Sequence, residues 1–315
     1  MTEHAGVGAA PWGRSGGRIG TTARRRIERR ADGIDSFRVI PSPPPRLRRR
    51  EFDEIVATLL PALAGVDAIT LGRQNRVAVK RKKDGTEVTS ADRAAERLLR
   101  RTIARAWPGD AVLGEEYGGT LARDGRCWLV DPIDGTASYV LGLGTFGTLI
   151  ALLVDGEPVF GCIHLPAMRE TTYAGAGRGC WLTRAGGRPR RVHVAPPRPI
   201  AEAGTGLTSF KVSDLAPRPG PWRLSDMARA VGRVRLVGDC VQYALVCRGE
   251  LDAAVDPLMN PWDIAPLMVC VREAGGSYSD LAGRTHDVLR ANSFVAASSE
   301  GLRRSLCARL KPRRR

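Results

Sequence analysis

Residues 128–139 read Trp128-Leu129-Val130-Asp131-Pro132-Ile133-Asp134-Gly135-Thr136-Ala137-Ser138-Tyr139. The three apolar residues at the start read as the end of a buried strand. The chain is expected to turn at Asp131-Pro132, to place a second carboxylate at Asp134, and to follow it with Gly135 and Thr136. Two acids at that spacing converge on one small volume at the strand end. Clustered carboxylate oxygens suit a hard cation, and backbone N–H groups at a helix start suit a phosphate. This stretch supplies both, and the remainder of the chain can be read for what completes such a site.

The chain has 315 residues, 43% of them hydrophobic, which is enough for one large or two moderate domains. Aromatic residues are only 5%, so Leu, Val, Ile and Ala must fill the core. No apolar run approaches the ~20 residues that cross a bilayer, and no apolar signal segment opens the chain, so no membrane partner and a cytoplasmic location are expected. The seven cysteines form no Cys-x-x-Cys pair and sit mostly in apolar segments, as reduced buried thiols do. The four histidines show no ligand spacing, which argues against zinc.

A net charge of +16 raises nucleic-acid binding as a possible function. Its distribution argues otherwise. Residues 1–50 hold 12 Lys and Arg against 4 Asp and Glu, a surplus of 12 − 4 = 8, and Lys311–Arg315 adds to it at the other end. No aromatic residues interleave these basic runs for base stacking. Residues 1–50, rich in Gly, Pro and Arg, read as a disordered basic tail. The folded part is expected from Glu51, as an N-terminal α+β metal-binding domain over 51–195 and a C-terminal α/β domain over 196–315 that completes the site.

Phe52, Ile55, Val56, Leu59, Leu60 and Leu63 recur at helical spacing, with Pro61 expected to kink or shorten the helix. Thr89 or Ser90 can cap a second helix that runs to Ala106, with Asp92 in its first turn. Taken alone, Asp92 is an ordinary helix-start acid, and the adjacent Glu115 and Glu116 are ordinary loop acids. Glu115, however, leaves a short strand, Ala111-Val112-Leu113, as Asp131 leaves Leu129-Val130. Asp155-Gly156 between two apolar runs marks a β-hairpin. Gly175 to Gly179 lacks the Lys-Ser/Thr ending of a phosphate loop and reads as a turn between antiparallel strands. Short strands are expected at 235–238, 251–256, 277–280 and 294–297, and helices at 240–247, 260–274 and 300–310. Asp263 stands at the start of the 260–274 helix, with Pro266 in its first turn.

Four separated motifs now stand in order: Val88-Thr89-Ser90-Ala91-Asp92, Gly114-Glu115-Glu116, Asp131-Pro132-Ile133-Asp134-Gly135-Thr136, and Trp262-Asp263-Ile264-Ala265-Pro266 with Glu273-Ala274-Gly275-Gly276. With them the chain, over 51–310, resembles the inositol monophosphatase-like family of magnesium-dependent, lithium-sensitive phosphatases. The resemblance implies an α/β fold, a layered αβαβα sandwich of two α/β domains, and a homodimer. It implies two to three Mg²⁺ ions held by Glu115, Asp131, the backbone carbonyl of Ile133, Asp134 and Asp263. Asp92 and Thr136 are implied to orient and deprotonate the attacking water, with Glu115 beside them. Gly135 and Thr136 N–H groups, with Asp134, are implied to meet the phosphate. The family's active-site lysine falls on Lys82 or Lys83.

The substrate implied is a small-molecule phosphate ester. Gly144–Leu152, Gly238-Asp239-Cys240 with Tyr243-Ala244-Leu245, and Val255-Asp256-Pro257 resemble the histidinol-phosphate phosphatase branch. Asp256, seven residues before Asp263, stands where the family often places an acid that contacts the substrate. Ala137-Ser138-Tyr139 and Val241-Gln242 depart from the branch at positions that could line the pocket. The alternatives are inositol 1-phosphate or another cyclitol or sugar phosphate, a 3′-phosphonucleotide, and, outside catalysis, nucleic-acid binding through the basic tail.

Overall fold

The structure, a computed structural model, describes residues 45–74, 79–81, 87–208 and 222–311. Lys82, Lys83 and nearly all of the basic tail lie outside the described residues. From Pro44 onward the chain forms one compact unit.

The first helix, α1 (Arg49–Arg73), buries Phe52, Ile55, Leu59, Leu63, Val66 and Thr70 along one stripe, the spacing of an amphipathic helix. The helix continues past Pro61 to Arg73, so the expected shortening is not found. Pro61 removes the N–H that would bond the Ala57 carbonyl. Both residues are exposed, so water can take that carbonyl. Among the described residues α1 is also the one helix long and apolar enough, by length and composition, to cross a membrane. That corrects the sequence expectation: from Ile55 to Gly72 the only charge is Asp67. In the fold this helix packs its stripe into the core.

Two short strands, β1 (Val79–Arg81) and β2 (Glu87–Thr89), pair antiparallel and lead into α2 (Ser90–Ala106). Seven strands then build the larger sheet in simple sequence order: β3 (Ala111–Gly114), β4 (Arg126–Asp134), β5 (Gly147–Val154), β6 (Glu157–Leu165), β7 (Glu170–Gly175), β8 (Gly179–Arg184) and β9 (Arg190–Val192). Only β3 and β4 are parallel. Asp155 and Gly156 both take positive φ at the β5–β6 turn, the geometry expected of an Asp-Gly hairpin. The glycine-rich run is the β7–β8 turn: Gly175 pairs with Gly179, and the Glu273 carboxylate accepts from the N–H groups of Gly177 and Gly179 at 3.0 and 2.9 Å.

The second sheet contains β10 (Gly204–Leu207), β11 (Arg233–Leu236), β12 (Ala253–Asp256), β13 (Ser277–Ser279) and β14 (Phe294–Ala297), ordered β11-β10-β12-β14-β13. Strands β11, β10 and β12 are parallel, and β14 is antiparallel to its neighbours. Among the described residues four further helices are α4 (Leu224–Ala230), α5 (Asp239–Cys247), α6 (Pro261–Glu273) and α7 (Glu300–Leu310); the five-residue α3 (Thr136–Val140) follows β4. The strand expected at 235–238 begins two residues earlier. Pro266 lies in the second turn of α6, not the first, because the helix already starts at Pro261.

Alternation along β4 shows how the layers stack. Trp128 and Val130 face α1 and α2 in one core with Phe160 and Tyr173. Cys127 and Leu129 face the other way, into a core shared with Val246 of α5 and Val269 of α6. The second sheet covers that core with Ala254 and Ala296, and its outer residues Val255 and Val295 pack under α4 and α7. The result is five layers, αβαβα. Both faces of the larger sheet are covered, so its central strands are apolar throughout. All seven cysteines are free and buried.

Helix α6 sits unusually close to the larger sheet. A Cβ on Gly161 of β6 would lie 2.3 Å from the Pro266 carbonyl oxygen. Gly161→Ala is therefore expected to push α6 off the sheet, at a cost of about 1–3 kcal/mol and a Tm lowered by about 5 °C. Thermal denaturation monitored by circular dichroism checks this. An unchanged Tm would mean that the helix is not seated at this distance.

Candidate active site

Side chains alternate across a strand, so residues three apart point to opposite faces. Asp131 and Asp134 nevertheless meet. Asp131 pairs with Leu149 and Asp134 with Gly147, so three steps along β4 match two along β5. This β-bulge changes the parity and turns both carboxylates to the same side. The chain does not leave the sheet at Asp131-Pro132 as the sequence implied; β4 continues to Asp134. The Thr148 hydroxyl donates to the Pro132 carbonyl at 2.8 Å and pins the bulge.

The remaining acids come from helix starts. Thr89 caps α2, and its N–H and hydroxyl donate to Oδ2 of Asp92 at 2.8 and 2.5 Å. Asp263 occupies the third position of α6, where its Oδ2 accepts the Asn260 N–H at 2.7 Å. At the start of α5 the Cys240 N–H donates to Oδ2 of Asp134 at 2.5 Å. The Ile133 N–H donates to Oδ1 of Asp131 at 2.9 Å. Each of these carboxylates thus uses one oxygen to hold a backbone N–H. Charge-assisted contacts of this kind orient the group.

Asp131, Asp134 and Asp263 present ligand oxygens within 4.8 Å of one another. They line a cleft of about 350 Å³ with Glu115, Ile133, Gly135, Thr136, Ala137, Asp239 and Asn260. Burial, then repulsion from Glu115 and Asp263, pushes Asp131 well above the usual carboxylate range. Burial, then Asp239 and Asp263, does the same to Asp134. Asp263 is pushed up to about 7, chiefly by burial. Its Oδ1 is buried and has no hydrogen-bond partner among the described residues. A buried carboxylate oxygen without a donor is costly. A set of hard oxygen donors with one orphan among them fits a divalent cation.

Glu115 directly follows β3, its N–H bonded to the Val130 carbonyl at 3.1 Å, and it raises Asp92, Asp131 and Asp263 electrostatically. The Thr136 hydroxyl lies 3.1 Å from the Ile133 carbonyl and 3.4 Å from Oδ1 of Asp92. Burial outweighs the Thr89 hydrogen bonds and raises Asp92 above its ordinary value. Gly135 takes φ 86°, and a Cβ there would lie 2.5 Å from Asp239; a larger residue is excluded on both counts.

Asp256 is not in the cleft lining. It is buried at the end of β12, accepts the Leu258 N–H at 3.0 Å, and is raised to about 8, mainly by burial. Val241 and Gln242 are fully buried in α5 and do not line the cleft. Asp239 does, and sequence reading noted it without placing it there. It accepts from the Ser138 hydroxyl at 3.1 Å and is raised by burial. Its signal in the sequence was its place beside Gly238, which takes φ 90° immediately ahead of the helix.

Carboxylates gathered around a Gly-Thr turn on an αβαβα frame define a phosphoric monoester hydrolase built to hold a cation. The inositol monophosphatase family matches residues 53–313, and the chain belongs to that family. It is 43% identical over 203 residues to a histidinol-phosphatase of Mycobacterium tuberculosis, covering 64% of this chain and 77% of that protein. It is 36% identical over 219 residues to a histidinol-phosphatase of Chlorobaculum parvum, covering 69% and 81%. The fold is similar to the Thermotoga maritima IMPase structure, with a TM-score of 0.70 at 27% identity over 83% of this chain and 96% of that one.

The raised carboxylates make cation-free stability depend on pH. Asp263 and Asp256 titrate at about 7 and 8 in the fold but near ~4 in the unfolded chain. Their contribution is fully present below the unfolded value and is lost as pH rises through the folded one. With chelator present, Tm is expected to be lower at about pH 8 than at about pH 5.5. Mg²⁺ is expected to raise Tm more at the higher pH. Scanning calorimetry checks both, and a Tm that rises with pH in the chelated protein contradicts the assignment.

Proposed function

We propose that the protein hydrolyses histidinol phosphate to histidinol and phosphate, with magnesium held by its acid cluster. The observation that carries the substrate is the 43% identity to a histidinol-phosphatase across 77% of that relative. The observation that carries the metal is the three-carboxylate cluster with its orphaned Asp263 Oδ1. Asp131, Asp134 and Asp263, with Glu115 and the Ile133 carbonyl, would hold two to three ions, with lithium as an inhibitor. Bound magnesium supplies Lewis-acid charge for the phosphate oxygens and the leaving alkoxide.

The protein's own groups do the rest. Asp92 and Thr136 orient a water for attack on phosphorus, and Asp92 takes its proton. Burial brings the Asp92 carboxyl closer to the protonation equilibrium that a general base needs. Gly135 and Thr136, at the cleft wall, offer N–H groups to the phosphate. Asp239 in the lining, with Asp256 within electrostatic range of it, favours a leaving group that carries an ammonium, as histidinol does. The seven free buried thiols support a cytoplasmic setting. A homodimer is part of this reading, and the exposed Leu141 and Leu143 beside α3 are apolar surface that a second copy would cover.

Asp134→Asn keeps an oxygen for the Cys240 N–H and removes a ligand charge. It is expected to fold and to lose hydrolysis about a thousand-fold, the equivalent of several kcal/mol of metal-supplied stabilisation. Substantial residual activity in a phosphate-release assay would sink the metal assignment. A Mg²⁺ assay panel of L-histidinol phosphate, inositol 1-phosphate, fructose 1,6-bisphosphate and adenosine 3′,5′-bisphosphate decides the substrate. Histidinol phosphate is expected to give the highest kcat/KM, and a clear preference for another ester overturns the proposal.

A further inference from the structure

We propose that Glu96 is a positioning residue: with Arg100 it holds the turn that carries Glu115 and thereby sets the affinity of the acid cluster for its cation. This rests on the reading of Glu115 as a cation ligand. Glu96 lies one helical turn after Asp92 on α2, on the same buried face. It is completely buried, an environment in which a carboxylate is costly unless paired and hydrogen-bonded.

Its partners lie just beyond Glu115. Oε2 accepts the Glu116 N–H at 2.7 Å and Oε1 the Tyr117 N–H at 3.3 Å. Arg100 donates Nε–H to Oε1 at 2.7 Å and reaches the carbonyls of Val112, at 3.4 Å, and of Gly118. One ion pair therefore grips the turn by its N–H groups and by carbonyls on both sides. The turn closes through the Gly114 N–H to the Gly118 carbonyl at 3.1 Å.

The same contact accounts for a glycine. A Cβ on Gly114 would lie 2.1 Å from Oε1 of Glu96, so no other residue fits while Glu96 is in place. Gly114-Glu115-Glu116 is in this sense a docking surface for Glu96. Helix α2 delivers Asp92 to the water side of the site with one residue and fixes Glu115 with another, four positions on.

A purely structural ion pair would cost stability and leave cation affinity alone. Glu96→Gln replaces one acceptor oxygen by a donor that faces an N–H. It is expected to weaken Mn²⁺ binding about 10-fold or more by titration calorimetry. The Mg²⁺ concentration for half-maximal hydrolysis is expected to rise in parallel, with KM for the phosphate ester within about 3-fold. Arg100→Lys, which leaves Glu96 intact, is expected to shift cation affinity the same way by a smaller factor and carries the test if Glu96→Gln does not fold. Unchanged Mn²⁺ affinity in the folded variants overturns the proposal. If the unaltered protein releases phosphate from no ester, the functional reading fails, while the calorimetric titration still decides the role of Glu96.

Discussion

Asp131, Asp134 and Asp263 present carboxylate oxygens within 4.8 Å of one another. At that separation, and an effective dielectric constant of about 20, each ionised pair repels by roughly 3 kcal/mol. That is a large fraction of the 5–15 kcal/mol by which a folded domain typically exceeds its unfolded state. The surrounding structure is arranged to tolerate this. Each acid is tethered through one oxygen to a backbone N–H, at Ile133, Cys240 and Asn260. The tethers come from a bulged strand and from two helix starts, whose dipoles favour negative charge. The fold thus maintains a cluster that only a cation, or shared protons, can relieve.

Two secondary-structure rules had to be reconciled to bring those acids together. A regular strand would have sent Asp131 and Asp134 to opposite faces of the larger sheet. The extra residue in β4 turns them together, at the sheet end where β3 delivers Glu115. The helix contributions follow a different logic. Asp92 and Asp263 both sit at the third position of a helix with the N-cap backbone N–H bonded to the carboxylate. A common capping device therefore doubles as a means of aiming a carboxylate. One oxygen is used locally; the other faces the Thr136 hydroxyl in Asp92 and is buried without a partner among the described residues in Asp263.

Much of this was legible in the sequence because local signals and chemistry agree. Asp155-Gly156 can adopt two consecutive positive φ values, and the chain has a hairpin there. Thr89 with Asp92 is a capping box wherever a helix follows. Three of the acidic motifs meet because β3 and β4 end, and α6 starts, at the cleft lined by Glu115, Asp131, Asp134 and Asp263. What escaped reading depends on contacts distant in the chain. Asp131-Pro132 was read as a turn because proline rarely continues a strand; the bulge accommodates it. Pro61 was read as shortening its helix because its exposure, with that of Ala57, is a tertiary fact. Asp239 and Glu96 carry no motif of their own. The one is defined by Ser138 and Gly135, the other by a turn about 20 residues away.

The cleft wall is held by a reciprocal exchange of hydrogen bonds with helix α5. The larger sheet offers Asp134 to the Cys240 N–H of α5, and α5 offers Asp239 to the Ser138 hydroxyl of α3. Neither bond can form without the close approach that Gly135 permits, since a Cβ there would meet the Asp239 carboxylate. Gly135 at φ 86° and Asp239 at φ 45° both take left-handed backbone at this meeting point. For aspartate that conformation is uncommon; here the exchange of hydrogen bonds holds it. Asp134 is therefore both a member of the acid cluster and a tie to α5. Loss of its charge and loss of its hydrogen bond should be separable, since an amide can supply the second without the first.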